Sequence, residues 1–185
     1  MSNPRSGDGR SPFAVRLLAT GGTIEKTYDP ARGALTLDVP VIQSLLDGLR
    51  QPDIRVGVER VMAKDSLDMS DGDREAIVQA VRMALDRGDS DAVVVTHGTD
   101  TLADTAAALV DGLSAPAIPV LLTGAMVPWR VADSDAAQNM AQALMAARLV
   151  EPGVYAVFHS RVIPGDRVVK DYDRLTLVEA SDAPA

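Results

Sequence analysis

The chain has 185 residues, a formal charge of −8 from 18 basic and 26 acidic side chains, and an isoelectric point near 4.7. That length encloses a core without a disulfide or metal staple, so one compact domain is expected. The acidic balance, with no Lys/Arg cluster to displace counterions, excludes a nucleic-acid partner, and the absence of cysteine excludes thiol catalysis, iron–sulfur ligation and disulfides.

In chain order, residues 1–12 are polar and rich in Gly, Pro and Ser, and are expected to form a disordered tail ahead of a domain over 13–185. No secretory h-region and no run of about eighteen apolar residues is present, so no membrane contact and a cytoplasmic location are expected. From Phe13 onward, short apolar runs alternate with longer amphipathic stretches, the pattern of βα units. Five runs read as strands covered on both faces: Ala14–Leu18, Ile54–Met62, Ala92–Val95, Pro119–Leu122 and Val154–Phe158.

The intervening stretches predict helices. Val39–Leu49 opens at Asp38 with Pro40 in its first turn, and Asp71–Arg87 follows a Ser70/Asp73 capping box and closes at Gly88. Thr101–Leu113 begins with a Thr-x-x-Asp box ending at Asp104, and Ala136–Val150 follows Ser134 and stops before Pro152-Gly153. Ile24–Leu35 carries Tyr28-Asp29-Pro30 and Arg32-Gly33 without a sustained period, which predicts a loop or loose hairpin able to act as a lid. After Phe158 only two short β-prone pieces, Val168-Val169 and Leu175–Leu177, are visible. The expected fold is α/β: a doubly wound, mainly parallel sheet of about five strands with helices on both faces.

Two threonine-bearing turns follow predicted strands, Ala19-Thr-Gly-Gly-Thr23-Ile24 and Thr96-His-Gly-Thr99-Asp100-Thr101. Open parallel sheets bind ligands beyond the carboxyl ends of their strands, which is where both turns fall. Gly22 and Gly98 permit close backbone approach, and N–H groups near Gly22 and at Gly98 or Thr99 are candidate oxyanion donors. Helix capping alone explains one such motif; two glycine-flanked copies favour a site. Gly21-Gly22 lacks the spacing of a dinucleotide turn and no phosphate-binding lysine follows.

A threonine hydroxyl needs a base, and the candidates are Tyr28 on the lid and Lys170. Lys170 is one of three lysines against fifteen arginines, although on residue chemistry alone it reads as a solvated amine. His97 and His159 stand in no metal-ligand spacing, so no metal is expected. His97 reads as a turn residue satisfied by the backbone, and His159 has no evident role. The methionines at 69, 83, 126, 140 and 145 read as core filling, and Trp129 as a packed loop residue.

Ala-Thr-Gly-Gly-Thr-Ile over 19–24, Ser66-Leu67-Asp68-Met69, Thr-His-Gly-Thr-Asp-Thr over 96–101, and Gly124-Ala-Met126 with Asp135 and Asn139 together resemble the bacterial-type L-asparaginases, from about Phe13 to Lys170. The resemblance implies hydrolysis of L-asparagine to L-aspartate and ammonia without a cofactor. It casts Thr23 as nucleophile, Tyr28 as its loop partner, and Thr99, Asp100 and Lys170 as a second triad. Ser66 and Asp100 would hold the α-carboxylate and α-amino groups. Leu67 stands where the family often has Gln, and Gly165-Asp-Arg-Val-Val-Lys170 departs from the family's Gly-Arg-Asp-Val-x-Lys by one transposition. The family's second domain, which completes a neighbouring protomer's site, is absent from this sequence, so a short form with an open site and a homodimer or larger homo-oligomer is expected. Competing readings are a glutaminase-like amidase, including the component that releases ammonia for a tRNA-dependent amidotransferase, and a non-catalytic amino-acid sensor. The sensor would need Asp100 and Ser66 but not Thr23, Thr99 and Lys170 together.

Overall fold

The computed structural model describes residues 11–37 and 40–183. Its elements are β1 (Phe13–Gly21), β2 (Thr27–Asp29), β3 (Ala34–Thr36), α1 (Ile42–Asp47), β4 (Ile54–Lys64), α2 (Asp71–Arg87), β5 (Ala92–Thr96), α3 (Leu102–Leu113), β6 (Val120–Thr123), α4 (Ala136–Ala146), β7 (Val154–Phe158), β8 (Arg161–Pro164), β9 (Val168–Asp171) and β10 (Thr176–Glu179).

Six strands form one sheet in the order β4-β1-β5-β6-β7-β8, parallel throughout except for β8, which runs antiparallel to β7. The fold is the predicted α/β class. Because consecutive side chains in a strand point to opposite faces, the sheet feeds two cores. Val15, Leu17, Val94, Leu121 and Val157 meet Ile42, Leu45, Met140 and Leu144 of α1 and α4. Leu18, Val93, Val95, Leu122 and Phe158 meet Ile77, Val81, Leu102 and Leu109 of α2 and α3. Each fully buried Leu, Ile, Val or Phe contributes about 1.5–3 kcal/mol of burial free energy. The helices therefore cover both faces of the sheet beneath its carboxyl edge.

The chain leaves β1 toward β4 on one side and leaves β5 toward β6 on the other. The carboxyl ends of β1 and β5, adjacent in the sheet, thus form the topological switch point of a doubly wound fold.

Several expected boundaries move. The first helix is shorter than Val39–Leu49, starting at Ile42 and ending at Asp47, while the cap residue Asp38 and Val39 lie outside the described residues, as do the first ten residues of the expected tail. The Ser70/Asp73 capping box is present in full and Gly88 closes α2 in the left-handed region at φ 60°. At α3, by contrast, Thr101 makes no side-chain cap; its hydroxyl donates instead to Ser66 O at 2.9 Å. α4 stops at Ala146 rather than Val150. The segment Ile24–Leu35 is a hairpin, β2 pairing with β3 as a separate two-stranded sheet, and β9–β10 is another, built from the two weak β signals. Met69 and Met140 are core residues as expected, but Met83 and Met145 are each 56% exposed, on the outward faces of α2 and α4. Trp129 packs against the α1/α4 core.

Candidate active site

Four loops converge at the carboxyl edge, and glycines let their backbones touch. A Cβ on Gly21 would stand 2.4 Å from Lys64 O, one on Gly22 2.3 Å from Gly98 N, one on Gly98 2.4 Å from Ser66 Oγ, and one on Gly124 2.3 Å from His97 O. Gly21 and Gly22 also take φ of 104° and 75°, where any side chain is strained. The turns after β1, β4, β5 and β6 are thereby packed in direct contact, backbone against backbone except where Gly98 meets the Ser66 side chain. Thr23, immediately after Gly22, and Thr99, immediately after Gly98, are brought to one place from 76 positions apart.

The β1 turn closes as a 3₁₀ turn over Thr23–Glu25. Glu25 is fully buried; its carboxylate accepts from Gly21 N at 3.1 Å and from the Arg60 guanidinium. Lys26, at the end of the same turn, pairs with Asp65, which caps the 3₁₀ turn Ser66–Asp68 by accepting from Leu67 N at 3.2 Å. The Lys26 hydrogen bond holds the Asp65 carboxyl below the usual range against the opposing effect of burial. An ion pair thus ties the Thr23 turn to the Ser66 turn. Ser66 is buried against Gly98, and its Oγ has no hydrogen-bond partner among the described residues.

Lys170 arrives from β9. Its Nζ donates to Thr99 Oγ1 at 2.9 Å and to Asp100 Oδ1 at 2.8 Å, with the side chain only 11% exposed. It is therefore not the solvated amine that residue chemistry alone suggests. Thr99 also donates to Met126 Sδ at 3.5 Å, which places Met126 on the site floor. Its neighbours are held by Asp135, which accepts from Met126 N and Val127 N at 3.0 Å. Burial raises the Asp135 carboxyl, but these N–H groups and His159 outweigh it and bring it below its usual value.

His97 lies beneath the second turn, fully buried. Its Nδ1 donates to Gly98 O at 2.8 Å and its Nε2 accepts from Thr105 Oγ1 at 2.8 Å, so it joins the turn to α3 rather than serving the backbone alone. Burial lowers its pKa to about 4, the bond to Gly98 O opposing, which keeps the ring neutral.

The structure brings Thr23, Ser66, Gly22, Gly98, Thr99, Asp100 and Lys170 to one edge. The N–H of Gly22 itself donates to Lys64 O at 2.8 Å. The N–H groups of Gly98 and Thr99 donate to no described residue. Tyr28 stands apart: it lies in β2, 65% exposed, and its hydroxyl makes no hydrogen bond among the described residues. His159 is the residue that sequence reasoning passes over. It links Asp135 to Thr176, and its only sequence signal is its place directly after an apolar strand. Among the described residues, no group of His, Asp and Glu side chains could hold a metal ion, and no helix is long and apolar enough to cross a membrane.

The chain matches the family model "Asparaginase, N-terminal" over residues 14–175. It is 40% identical over 157 residues to the L-asparaginase of Thermococcus kodakarensis, covering 83% of this chain and 46% of that protein. It is 36% identical over 157 residues to a glutamyl-tRNA(Gln) amidotransferase component of Pyrobaculum aerophilum, covering 84% and 36%. The solved thermostable L-asparaginase of T. kodakarensis superposes with a TM-score of 0.76 at 35% identity, over 85% of this chain and 48% of that one. A probable cytoplasmic L-asparaginase from Campylobacter jejuni superposes with a TM-score of 0.67 at 26% identity, over 85% and 48%. The chain thus spans about half the length of these asparaginases.

Proposed function

The chain belongs to the asparaginase family, and from that premise we propose that it hydrolyses L-asparagine to L-aspartate and ammonia through a threonine ester. The observation that carries this is the Thr99–Lys170–Asp100 triad, whose lysine comes from some 70 residues away to sit within hydrogen-bond reach of both partners. A sensor would have no use for a buried amine aimed at a hydroxyl beside a second, glycine-flanked threonine.

In the proposed sequence, Thr23 Oγ attacks the side-chain amide carbon and its proton passes to the departing nitrogen, which leaves as ammonia. The resulting β-aspartyl ester is hydrolysed by a water that Thr99 and Lys170 hold and activate, regenerating the Thr23 hydroxyl. The unpaired N–H groups of Gly98 and Thr99 are suited to the transient oxyanion. Ser66 Oγ, buried and unpartnered, is suited to the α-carboxylate, and Asp100, while orienting Lys170, to the α-amino group. Tyr28 would join Thr23 only when the β2–β3 hairpin folds over the site. No cofactor or metal takes part, the substrate is the only small-molecule partner, and the reaction is placed in the cytoplasm. A homodimer or larger homo-oligomer is proposed to cover exposed apolar side chains such as Leu67, Leu149 and Tyr172; light scattering at micromolar concentration should give a multiple of the monomer mass.

Ammonia release from L-asparagine by purified protein in EDTA tests the assignment, and no turnover by folded protein would reject it. The relative from P. aerophilum gives the second reading, a glutaminase-like amidase. L-glutamine should nonetheless be the poorer substrate by about a hundredfold, because one extra methylene displaces its amide from Thr23 by about an ångström. Equal kcat/KM for the two amides would favour the second reading.

A further inference from the structure

We propose that His159 is a positioning residue for Lys170: it pins the β9–β10 hairpin to the α4 start so that the Lys170 amine reaches Thr99.

His159 and Ser160 form the two-residue connection between β7 and β8, flanked by the pair Phe158↔Arg161, with φ of 44° and 65°. Two positive φ values in a two-residue hairpin favour Asn-Gly, and a His-Ser pair violates that local preference. Such a violation calls for a compensating interaction, which the side chains supply. The turn is clamped to α4, with His159 N donating to Asn139 Oδ1 at 3.1 Å and Ser160 N to Gln142 Oε1 at 2.7 Å. The imidazole then spans two elements. Nε2 lies 3.0 Å from Asp135 Oδ2, to which it donates, and Nδ1 is hydrogen-bonded to the Thr176 hydroxyl at 2.9 Å.

Thr176 lies on β10 opposite Asp171 of β9, one residue from Lys170. The hairpin is not hydrogen-bonded into the main sheet. Among the described residues, the hydrogen bonds joining Val168–Glu179 to the chain before β8 are those of Lys170 itself and this one from His159. The partner on the other side, Asp135, holds Met126 and Val127, and Met126 touches Thr99. Burial of Val168 and Leu177 in the α2/α3 core seats the hairpin, and this one ring sets the polar link between the strand that carries Lys170 and the loop that lies against its hydroxyl partner.

The proposal rests on the Thr99–Lys170 pair serving catalysis, so its test has an arm that needs no turnover. Asn suits the left-handed conformation and keeps the turn folded but cannot bridge Asp135 and Thr176; Thr176→Val breaks the same bond from the other end. Acylation of lysines by a small anhydride across pH, with peptide mapping, reads Lys170 against Lys26 and Lys64, the chain's other two lysines, as internal standards. His159→Asn and Thr176→Val should each raise the reactivity of Lys170 relative to both standards by about threefold or more, with no further rise in the double variant. In asparagine hydrolysis both should lower kcat by about tenfold with KM nearly unchanged, and His159→Gln should recover part of the loss. An unchanged Lys170 profile in both folded variants overturns the proposal, as does an additive double variant. If the parent protein releases no ammonia while Lys170 still responds, the assigned reaction fails and the positioning role stands.

Discussion

The two threonines sit in unlike surroundings. Thr99 is buried, receives a hydrogen bond from Lys170, touches Met126, and rests on a turn that His97 braces against α3. Thr23 follows a glycine pair whose positive φ values would strain any side chain, and leads into the β2–β3 hairpin, whose Tyr28 faces solvent and whose strands pair only with each other. The difference teaches that the groups proposed to resolve the ester already touch one another, while Tyr28, proposed to help form it, lies exposed on a separate hairpin. Such a division fits amide hydrolysis, in which water must be kept from the first step and admitted to the second.

The largest effect should come from separating the two halves chemically. Thr23→Ala should lower kcat at least about a thousandfold and leave no covalent intermediate. Thr99→Val or Lys170→Met should lose comparable activity but accumulate a β-aspartyl adduct on Thr23, visible by intact mass spectrometry after rapid quenching. An adduct on Thr99 in the Thr23→Ala protein would reverse the comparison.

Next is the contact between the halves. In Gly22→Ala the new Cβ meets Gly98 backbone at 2.3 Å at a φ of 75°, so a loss of about 3 kcal/mol or more is expected in urea unfolding. Gly33→Ala is the control: its φ is 63° but nothing lies within 4 Å, and about 1 kcal/mol should be lost. Equal costs would mean that the turns are not locked together.

The brace under Thr99 has a pH signature. Burial depresses the His97 pKa from 6.5 to about 4, so between these values the unfolded chain binds a proton that the folded chain refuses. Stability should therefore fall by about 3 kcal/mol as pH drops from above 6.5 to about 4, and His97→Gln should flatten that part of the curve in thermal melts. An unchanged slope would place the acid sensitivity elsewhere.

The smallest effect belongs to the exposed side. Tyr28→Phe should leave stability within about 0.5 kcal/mol while slowing ester formation about tenfold, so that no adduct builds up. Accumulation of the Thr23 adduct in this variant would move Tyr28 to the second step.

The central strands are legible because each is a short apolar run buried on both faces, and α2 because both of its ends carry cap residues that act locally. Legibility fails where tertiary contacts redirect local chemistry. Thr101 looks like a helix cap, yet its hydroxyl is used by Ser66 O across the site. β8 goes unseen because its turn is His-Ser rather than Asn-Gly, and the roles of His159 and Lys170 depend on partners 17 to 71 residues away, which no local pattern encodes. Lys170 is reached through resemblance of its flanking motif, not through its chemistry. Gly22 is marked out for close approach by its sequence setting, but that its own N–H is taken up by Lys64 O, 42 residues on, is not visible locally.

β4, eleven residues long, forms one outer edge of the sheet, and no described strand pairs with its outer side, which could template a foreign strand. Three of its four charges are engaged at home, Glu59 with Arg87, Arg60 with Glu25, and Lys64 with Asp73, and the fourth, Arg55, is exposed on the strand. An incoming strand would have to tear out these ion pairs or bury them beside it, so the margin is guarded against amyloid-like growth. Two of the same pairs also border the site, Arg60 holding Glu25 of the Thr23 turn and Lys64 standing two residues before Ser66, so protection from misassembly and support of the site share charges.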